Sequence, residues 1–268
     1  MDTSLPIITL TTDFGLADAY VASMKGVILA LAPAARIVDI SHEISPQNIV
    51  QGGFTLACAF PHFPKGTIHV LVVDPGVGTS RRLILARTEN HFFMGPDNGA
   101  LALSFAVEPP RAILHLAATA SIRHPVSATF HGRDILAPAA ARLASGADFV
   151  SFGDRIAEFT PSPLPPPARQ EDGTILLRVV LADRFGNLIL NLREEEYRRL
   201  RPRASAEALG LEICGRRIDR LLRTYGEAEE SEPFALFNSS GYLEIAVSSG
   251  SAARVLACSA GAPALLKA

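Results

Sequence analysis

The sequence predicts an α/β fold, with an N-terminal layered α/β domain and a smaller C-terminal antiparallel β domain. Up to residue 160, β-branched apolar runs alternate with segments of helical spacing, a pattern typical of a layered domain with a mainly parallel central sheet. Five prolines then fall within residues 161–167. Beyond them, short apolar runs are separated by polar turns, which indicates antiparallel strands.

The N-terminal strands and helices follow from apolar spacing. Strands are predicted over residues 6–13, 36–41 and 67–74, with shorter ones at LILART (83–88) and HFFMG (91–95). Helices are predicted over residues 18–33, 48–60 and 132–146, the second weakened by its two glycines and the third containing a proline. Parallel sheets bind ligands at the carboxyl ends of their strands, so the polar residues at these strand ends indicate a site.

The chain is predicted to divide into domain 1–160, linker 161–173 and domain 174–268. The prolines exclude a helix or a central strand and favour a stiff extended linker. Beyond the linker, hairpins are predicted within residues 174–192, around DRFGN, and within 234–247, around NSSG. Between them, REEEYRRLRPR (193–203) has charges that nearly cancel, so it is interpreted as a solvated helix or loop rather than a nucleic-acid patch.

Composition narrows the function classes. A net charge of −2 provides no field that would recruit nucleic acid or an anionic membrane. No apolar run reaches the roughly 18 residues that a membrane helix needs, and the N-terminus is a poor signal peptide. The three cysteines are far apart in sequence, which argues against a disulfide framework and favours a reducing compartment. A soluble cytoplasmic protein is expected.

The segment VVDPGVGTSRR (72–82) runs from a buried strand into a glycine-rich turn. It lacks the Lys-Ser/Thr ending of a Walker loop and is not GxGxxG, and Asp74 at its start would repel a phosphate. Taken alone, the segment is better explained as a tight turn whose aspartate caps backbone amides.

The segment FHGRD (130–134) places His131 just before a predicted helix. If Asp74, Arg81 and His131 shared one pocket, the arginine would keep the carboxylate ionised and the histidine would orient or deprotonate a water. Taken alone, FHGRD also fits a helix entry with a hydrogen-bonded histidine. TTDFG (11–15), SH (41–42) and PDNG (96–99) fit turns or caps, and no HxxxH or HExxH spacing predicts a metal.

Together, the ordered motifs TTDFG, DISH, VVDPGVGT-x-RR, PDNG, FHGRD, DRFGN and NSSGYLEIA resemble those of the S-adenosyl-L-methionine (SAM) hydroxide adenosyltransferases. Related fluorinases and chlorinases share the architecture. The resemblance implies that the C-terminal domain is a β-barrel. It also implies a homotrimer with the substrate between the N-terminal domain of one subunit and the C-terminal domain of the next, and hydrolysis of SAM to adenosine and L-methionine without a metal or cofactor.

The resemblance implies catalytic roles for Asp74, Arg81 and His131. The halogenases have Tyr at the position of Asp74, Ser at Gly132 and Trp at Gln47, whereas this chain contains no Trp. A carboxylate next to the nucleophile repels a halide but accepts a proton from water. The expected nucleophile is therefore water.

Further positions match the family's substrate site: Asp13, Asp18, Tyr20, Phe130, Asp183, Phe185, Asn187, Ser239, Ser240, Glu244 and Val247. Asp13 is expected to accept the ribose hydroxyls, Asp183 to pair with the methionine ammonium, and Asn187 to recognise adenine. Asp18, Tyr20 and the two serines match positions near methionine, Phe130 and Phe185 are expected to pack against the ligand, and Glu244 and Val247 lie where adenine contacts are expected. Three alternatives stay open: a SAM or adenosine binder with little turnover, a SAM-dependent halogenase, and a metal-dependent nucleotide phosphatase.

Overall fold

The fold is described from a computed structural model, which covers residues 5–117, 125–200, 209–229 and 231–267. The chain divides into two compact units, Met1–Pro163 and Leu164–Ala268, here called the N-terminal and C-terminal units.

Within the described residues, the N-terminal unit contains a seven-stranded sheet. Its strands are β1 (Ile7–Thr12), β2 (Arg36–Ser41), β3 (Ile68–Val72), β4 (Leu83–Arg87), β5 (Phe92–Pro96), β6 (Ala112–Leu116) and β7 (Gly153–Ile156), in the order β2-β1-β3-β5-β4-β6-β7. The pairs from β2 to β5 are parallel and the remaining pairs are antiparallel. The predicted α/β class is confirmed. The sheet is mixed because only residues 88–91 join β4 to β5, and so short a connection permits only an antiparallel hairpin.

Helices cover both faces of this sheet. They are α1 (Tyr20–Leu31), α2 (Ile49–Ala59), α3 (Ala102–Val107) and α4 (Ala137–Ala144). On one face, Met24 and Ile28 of α1 pack with Val70 of β3 and with the alanines of α4. On the other face, Leu56 of α2 packs with Phe93 of β5.

The third predicted helix begins as a π-helical turn, Gly132–Leu136, before it continues as α4. The backbone N–H of Ala137 donates to the carbonyl of Gly132, five residues earlier. Pro138 follows and has no N–H to donate to the preceding turn. π-Helical turns are frequent at functional sites, and this one begins directly after His131.

Eight described strands form the sheet of the C-terminal unit: β8 (Ala168–Arg169), β9 (Ile175–Ala182), β10 (Leu188–Arg193), β11 (Leu211–Ile213), β12 (Arg216–Ile218), β13 (Pro233–Phe237), β14 (Tyr242–Val247) and β15 (Pro263–Leu266). Their order is β12-β11-β15-β9-β10-β14-β13, with β8 added to β9, and all pairs are antiparallel. A bridge between Leu221 and Ala235 brings the chain after β12 back to β13, so the sheet is nearly closed into a barrel.

The barrel encloses an apolar core in which Leu177, Leu190 and Ile245 are fully buried. The described residues of this unit also form two helices, α5 (Glu194–Leu200) and α6 (Ala252–Val255). The predicted antiparallel β-barrel is confirmed. The part of the charge run that the structure describes is mostly the short helix α5, and residues 201–203 lie outside the described residues.

The structure corrects the expectation that the cysteines stay unpaired. Cys214 and Cys258 form a disulfide, with Cα atoms 6.1 Å apart. They are 44 residues apart in sequence. Pairing of β11 with β15 brings Ile213 opposite Ala264, which places both cysteines at the same end of these strands. The cysteine argument for a reducing compartment is thereby removed.

Among the described residues, no helix is long and apolar enough to cross a membrane.

Candidate active site

The glycine turn, defined here as residues 75–80, connects β3 to the residues before β4. Backbone N–H groups of Val77 and Thr79 donate to the carbonyls of Asp74 and Gly76 at 3.2 and 3.1 Å. Gly78 has a φ of +80°, and a Cβ built on it would lie 2.5 Å from the carbonyl oxygen of Ala128. Only glycine fits this conformation and this contact. The turn therefore folds back against the segment that leads to His131.

Folding back brings Arg81 onto the carboxylate of Asp74. Nε of Arg81 lies 2.9 Å from both carboxylate oxygens, and Nη2 also donates to Oδ2. The side chains of Asp74 and Arg81 are only 7% and 12% exposed. Hydrogen bonds from two guanidinium nitrogens to one carboxylate fix the orientation of the guanidinium.

His131 contacts the same guanidinium. Nη2 of Arg81 lies 2.8 Å from Nδ1 of His131. Because a guanidinium has donors only, Nδ1 must accept this bond, and a neutral imidazole then carries its proton on Nε2. Burial and the charge of Arg81 lower the pKa of His131 below its ordinary 6.5, against the opposite effect of Asp74 and Asp134.

Asp74 and His131 line one pocket of about 400 Å³ in the N-terminal unit. The other lining residues are Asp13, Phe14, Tyr20, Pro46, Gln47, Val72, Pro75, Val77, Thr129, Phe130 and Gly132. The structure thus brings together five sequence-predicted residues, Asp13, Tyr20, Asp74, Phe130 and His131, with Arg81 bonded to two of them.

An aromatic cluster forms part of the pocket wall. The rings of Phe14, Tyr20 and Phe130 contact one another at centroid distances of 5.3 to 5.7 Å. Sequence reasoning missed Phe14, although it lies inside the TTDFG motif directly after Asp13. The guanidinium of Arg133 covers the Phe130 ring at 5.0 Å from its centroid.

Asp13 follows the last residue of β1 and enters the pocket. Its Oδ2 accepts the backbone N–H of Gln47 at 2.7 Å, and Gln47 has a φ of +64°. A non-glycine residue in the left-handed region is uncommon, and the Asp13 carboxylate helps to hold it there. Asp18, by contrast, is exposed on the segment before α1 and lies outside the lining of this pocket.

The SH motif supports the turn that carries Asp13. Nδ1 of His42 lies 2.8 Å from the hydroxyl of Thr12, and the carbonyl of His42 accepts the N–H of Gly15 at 2.8 Å. His42 is 4% exposed and does not line the pocket, so its contacts are those of a turn support.

In the C-terminal unit, Asp183 organises the DRFGN turn. Its Oδ1 accepts the N–H groups of Phe185 and Asn187 at 2.9 and 2.8 Å, and its Oδ2 accepts the side-chain amide of Asn187 at 3.2 Å. Asn187 is 6% exposed, whereas Phe185, at the tip of the turn, is 77% exposed. Asp183 and Asn187 are therefore brought together, and Phe185 presents its ring to solvent.

Glu244 lies in β14 with its side chain 2% exposed. The hydroxyl of Tyr225 donates to its Oε1 at 2.5 Å. Burial raises the pKa of Glu244, with a further contribution from Asp183, and burial together with Glu244 raises that of Tyr225. Tyr225 was missed by sequence reasoning, since a single tyrosine in a polar loop carries no signal.

The other C-terminal candidates are more scattered. Ser239 is exposed and Ser240 half-buried in the turn between β13 and β14, where the N–H of Ser240 donates to Oδ1 of Asn238 at 3.0 Å. Val247 packs in the barrel core with Leu243 and Ile245. Side chains alternate along a strand, so Val247 and Glu244 point to opposite faces of β14.

In the described part of the chain, no group of three or more His, Cys, Asp or Glu side chains is arranged to hold a metal ion.

Comparisons with known proteins match nearly the whole chain. Residues 8–153 match the SAM hydroxide adenosyltransferase N-terminal domain, and residues 177–264 match the C-terminal domain of the same family. An (R)-S-adenosyl-L-methionine hydrolase of Thermus thermophilus is 38% identical over 260 residues, which cover 94% of this chain and 96% of the relative. A fluorinase of Actinoplanes sp. is more distant, at 24% identity over 90% of both chains. A crystal structure of an uncharacterized conserved protein from Thermotoga maritima superimposes with a TM-score of 0.88 at 31% identity, covering 98% of this chain and all of the other.

Proposed function

The chain belongs to the SAM hydroxide adenosyltransferase family, and on that premise we propose that it hydrolyses SAM to adenosine and L-methionine by direct attack of water on ribose C5′. The observation that carries this proposal is the contact of Asp74, Arg81 and His131 at one pocket wall.

The chemistry requires little more than placement of the nucleophile. The water oxygen forms a bond to C5′ while the C5′–S bond breaks. The electron pair of the C5′–S bond stays on sulfur and neutralises the sulfonium, so no acid is needed at sulfur. A pocket that holds a water in line behind C5′ therefore supplies most of what is required through proximity and orientation. No cofactor enters the reaction, because SAM is the substrate.

The hydrogen bond between Arg81 and His131 assigns different roles to the two groups that face the water. With Nδ1 accepting from Arg81, the imidazole donates from Nε2 and orients the water oxygen. The carboxylate of Asp74 is the acceptor for a water proton, and assistance of this kind contributes typically 10²–10⁴-fold. Arg81 holds both groups in register.

Water rather than halide is the nucleophile. A halide would lie next to the Asp74 carboxylate and be repelled, whereas water can donate a hydrogen bond to it. The greater similarity of the chain to SAM hydrolases than to fluorinases supports the same choice.

The substrate contacts proposed from the sequence divide between the two units. In the N-terminal unit, Asp13 takes the ribose hydroxyls, Tyr20 and Phe130 pack against the ligand, and Asp18 serves the methionine end. In the C-terminal unit, Asp183 and Asn187 take the ammonium and adenine. A homotrimer that places the substrate between subunits is part of the same proposal.

Incubation of the purified protein with SAM and a chelator tests the proposal, with adenosine and methionine quantified by chromatography. We expect the wild type to form equal amounts of adenosine and methionine. In Asp74→Asn the rate should fall about 10²–10⁴-fold, as for removal of a general base. Asp154→Asn, an exposed acid on β7, is the matched control and should retain activity.

Two outcomes would contradict hydrolysis. Formation of a 5′-halogenated adenosine in chloride or fluoride would identify a halogenase. Tight SAM binding in both wild type and Asp74→Asn, with no adenosine above a heat-inactivated sample, would identify a binding protein.

A further inference from the structure

The PDNG turn, residues 96–99, lies between the two ends of the loop that carries Asp74 and Arg81. In the sheet, β5 lies between β3 and β4. Asp74 follows β3, and Arg81 comes just before β4. The PDNG turn at the end of β5 is therefore placed next to the first and the last residues of the loop that carries Asp74 and Arg81.

Asn98 holds the first of these ends. Its side-chain amide donates to the carbonyl oxygen of Val73 at 2.8 Å, and its Oδ1 accepts the N–H of Ala100 at 3.2 Å. Val73 is the residue directly before Asp74, so the bond from Asn98 restrains the peptide plane from which Asp74 extends.

Asp97 holds the other end. Its N–H donates to the carbonyl of Arg82 at 2.9 Å, and its Oδ2 accepts from Nε and Nη2 of Arg82 at 2.9 and 2.5 Å. Its Oδ1 accepts the N–H of Thr160 at 2.7 Å. The Asp97 side chain is 3% exposed, and both of its oxygens are used. Arg82 is the neighbour of Arg81, so this ion pair restrains the backbone that carries the catalytic guanidinium.

We propose that Asp97 and Asn98 are positioning residues for the reaction, which act by fixing the two backbone ends of the loop that carries the Asp74–Arg81 pair. The proposal rests on the SAM hydrolysis proposed above. Neither residue lines the substrate pocket, so each acts only through Val73 or Arg82.

A positioning role makes a prediction that a purely structural role does not. A misplacement of about 1 Å at a reacting group can cost on the order of 100-fold in rate. Loss of positioning should lower kcat and leave KM nearly unchanged, because the substrate contacts are not altered. Loss of folding would instead lower the amount of active protein and the melting temperature.

The first measurement is the steady-state kinetics of Asn98→Ala beside Asn191→Ala. Asn191 is a matched control in the C-terminal unit, since its amide also donates to a carbonyl (Pro165, 2.8 Å) and accepts an N–H (Arg178, 2.7 Å). We expect kcat to fall about 10- to 100-fold in Asn98→Ala, with KM changed less than about threefold, and both constants of Asn191→Ala to stay within about twofold of wild type.

The second measurement does not depend on activity. It is an NMR titration of the His131 imidazole, which faces Arg81, Asp74 and Asp134. If Asn98 positions the Asp74–Arg81 pair, the neutral change Asn98→Ala displaces Arg81 from Nδ1. The pKa of His131 should then rise towards its ordinary value, and it should not move in Asn191→Ala.

Asp97→Asn is the second variant and replaces Asn98→Ala if that protein does not fold. Removal of a negative charge lowers a histidine pKa by simple electrostatics, so a rise at His131 in Asp97→Asn can come only from displacement. A roughly tenfold fall in kcat with that rise supports the proposal.

Two results would overturn the inference. One is a folded Asn98→Ala protein with the melting temperature and kcat of Asn191→Ala. The other is a raised KM at unchanged kcat, which would make the turn a substrate-binding element. If the wild type does not hydrolyse SAM, the proposed function fails, and an unchanged His131 titration in Asn98→Ala then disproves positioning by itself.

Discussion

At the residue scale, two histidines of the N-terminal unit have lowered pKa values for different uses. His131 faces the guanidinium of Arg81 at the pocket, while His69 belongs to β3 and its side chain is fully buried on one face of the sheet. Nδ1 of His69 lies 2.8 Å from the hydroxyl of Thr9, and its ring stacks on Phe93 at 5.1 Å. Burial lowers the pKa of His69 to about 3. The lowered pKa values keep both imidazoles neutral at neutral pH.

The pH dependence of activity should follow His131. Protonation below its lowered pKa turns Nδ1 into a donor that faces the Arg81 guanidinium and breaks their hydrogen bond. Activity is therefore expected to fall as the pH decreases through the lowered pKa of His131, with a midpoint below 6.5. The measurement is kcat against pH for wild type and for His131→Gln, in which this acid limb should disappear. An acid limb of equal midpoint in both proteins would assign it to another group.

The acid limb of stability should depend on His69. The unfolded chain takes up a proton near pH 6.5, whereas the folded protein resists it down to about pH 3. Stability should therefore fall as pH decreases across this interval, by up to about 1.4 kcal/mol per pH unit. Urea unfolding against pH should show a shallower acid limb for His69→Gln than for wild type. His62→Gln, which changes an exposed imidazole, should keep the wild-type slope, and equal slopes in all three would exclude His69 as the source.

At the element scale, close contacts explain why helix α2 contains two glycines, residues that disfavour a helix. Gly53 lies in α2, and a Cβ added there would come 2.2 Å from the carbonyl oxygen of Ala100, just after the PDNG turn. A Cβ added to its neighbour Gly52 would lie 2.8 Å from Cγ2 of Val73. The glycines reduce helix propensity but allow α2 to pack directly against the elements that carry the site.

Gly53→Ala should therefore destabilise the protein, although alanine is the better helix former. Overpacking against a backbone atom costs about 1–3 kcal/mol. Gly26→Ala in α1 is the matched control, because nothing lies within 4 Å of the added Cβ, and it should stabilise by up to about 1 kcal/mol. Chemical denaturation of the two variants beside wild type is the measurement. Equal effects of the same sign would show that propensity, not packing, decides both positions.

At the scale of the whole molecule, the candidate residues divide between two compact units. The proposed trimer joins the N-terminal unit of one subunit to the C-terminal unit of the next, and such a ring has one site per interface. This arrangement can be distinguished from sites within single chains without a structure of the complex.

Two inactive variants should complement each other when they are coexpressed. Asp74→Asn inactivates the N-terminal half of a site, and Asp183→Asn the C-terminal half. In randomly mixed rings about a quarter of the sites combine two intact halves, so about a quarter of wild-type activity should return. Separately expressed proteins mixed just before the assay are the control and should stay inactive. No recovery in verified mixed oligomers would place each site within one chain.

The strands β1 and β3 could be predicted from sequence because continuous apolar runs rich in β-branched residues favour a buried strand over a helix or a loop. The candidate residues Asp13, Asp74, Arg81 and His131 could be named because they fall in ordered motifs. The short strands β6 and β7 and the helix α3 were not predicted, since segments of only four to six residues carry too little periodicity. Their existence depends on neighbours that supply hydrogen bonds and cover.

By itself, the sequence determined the α/β class, the antiparallel strands after the proline-rich segment and the residues of the family's motifs, because apolar periodicity and short motifs can be read along the chain. That these strands form a β-barrel was implied only by the resemblance to the family. Only the tertiary structure decided that Arg81 reaches both Asp74 and His131, that Tyr225 contacts Glu244, and that Cys214 pairs with Cys258. It also decided that the PDNG turn contacts both ends of the loop that carries Asp74 and Arg81. The physical reason is sheet order. Strand β5 enters between β3 and β4 and sets the PDNG turn against residues that no local pattern connects to it.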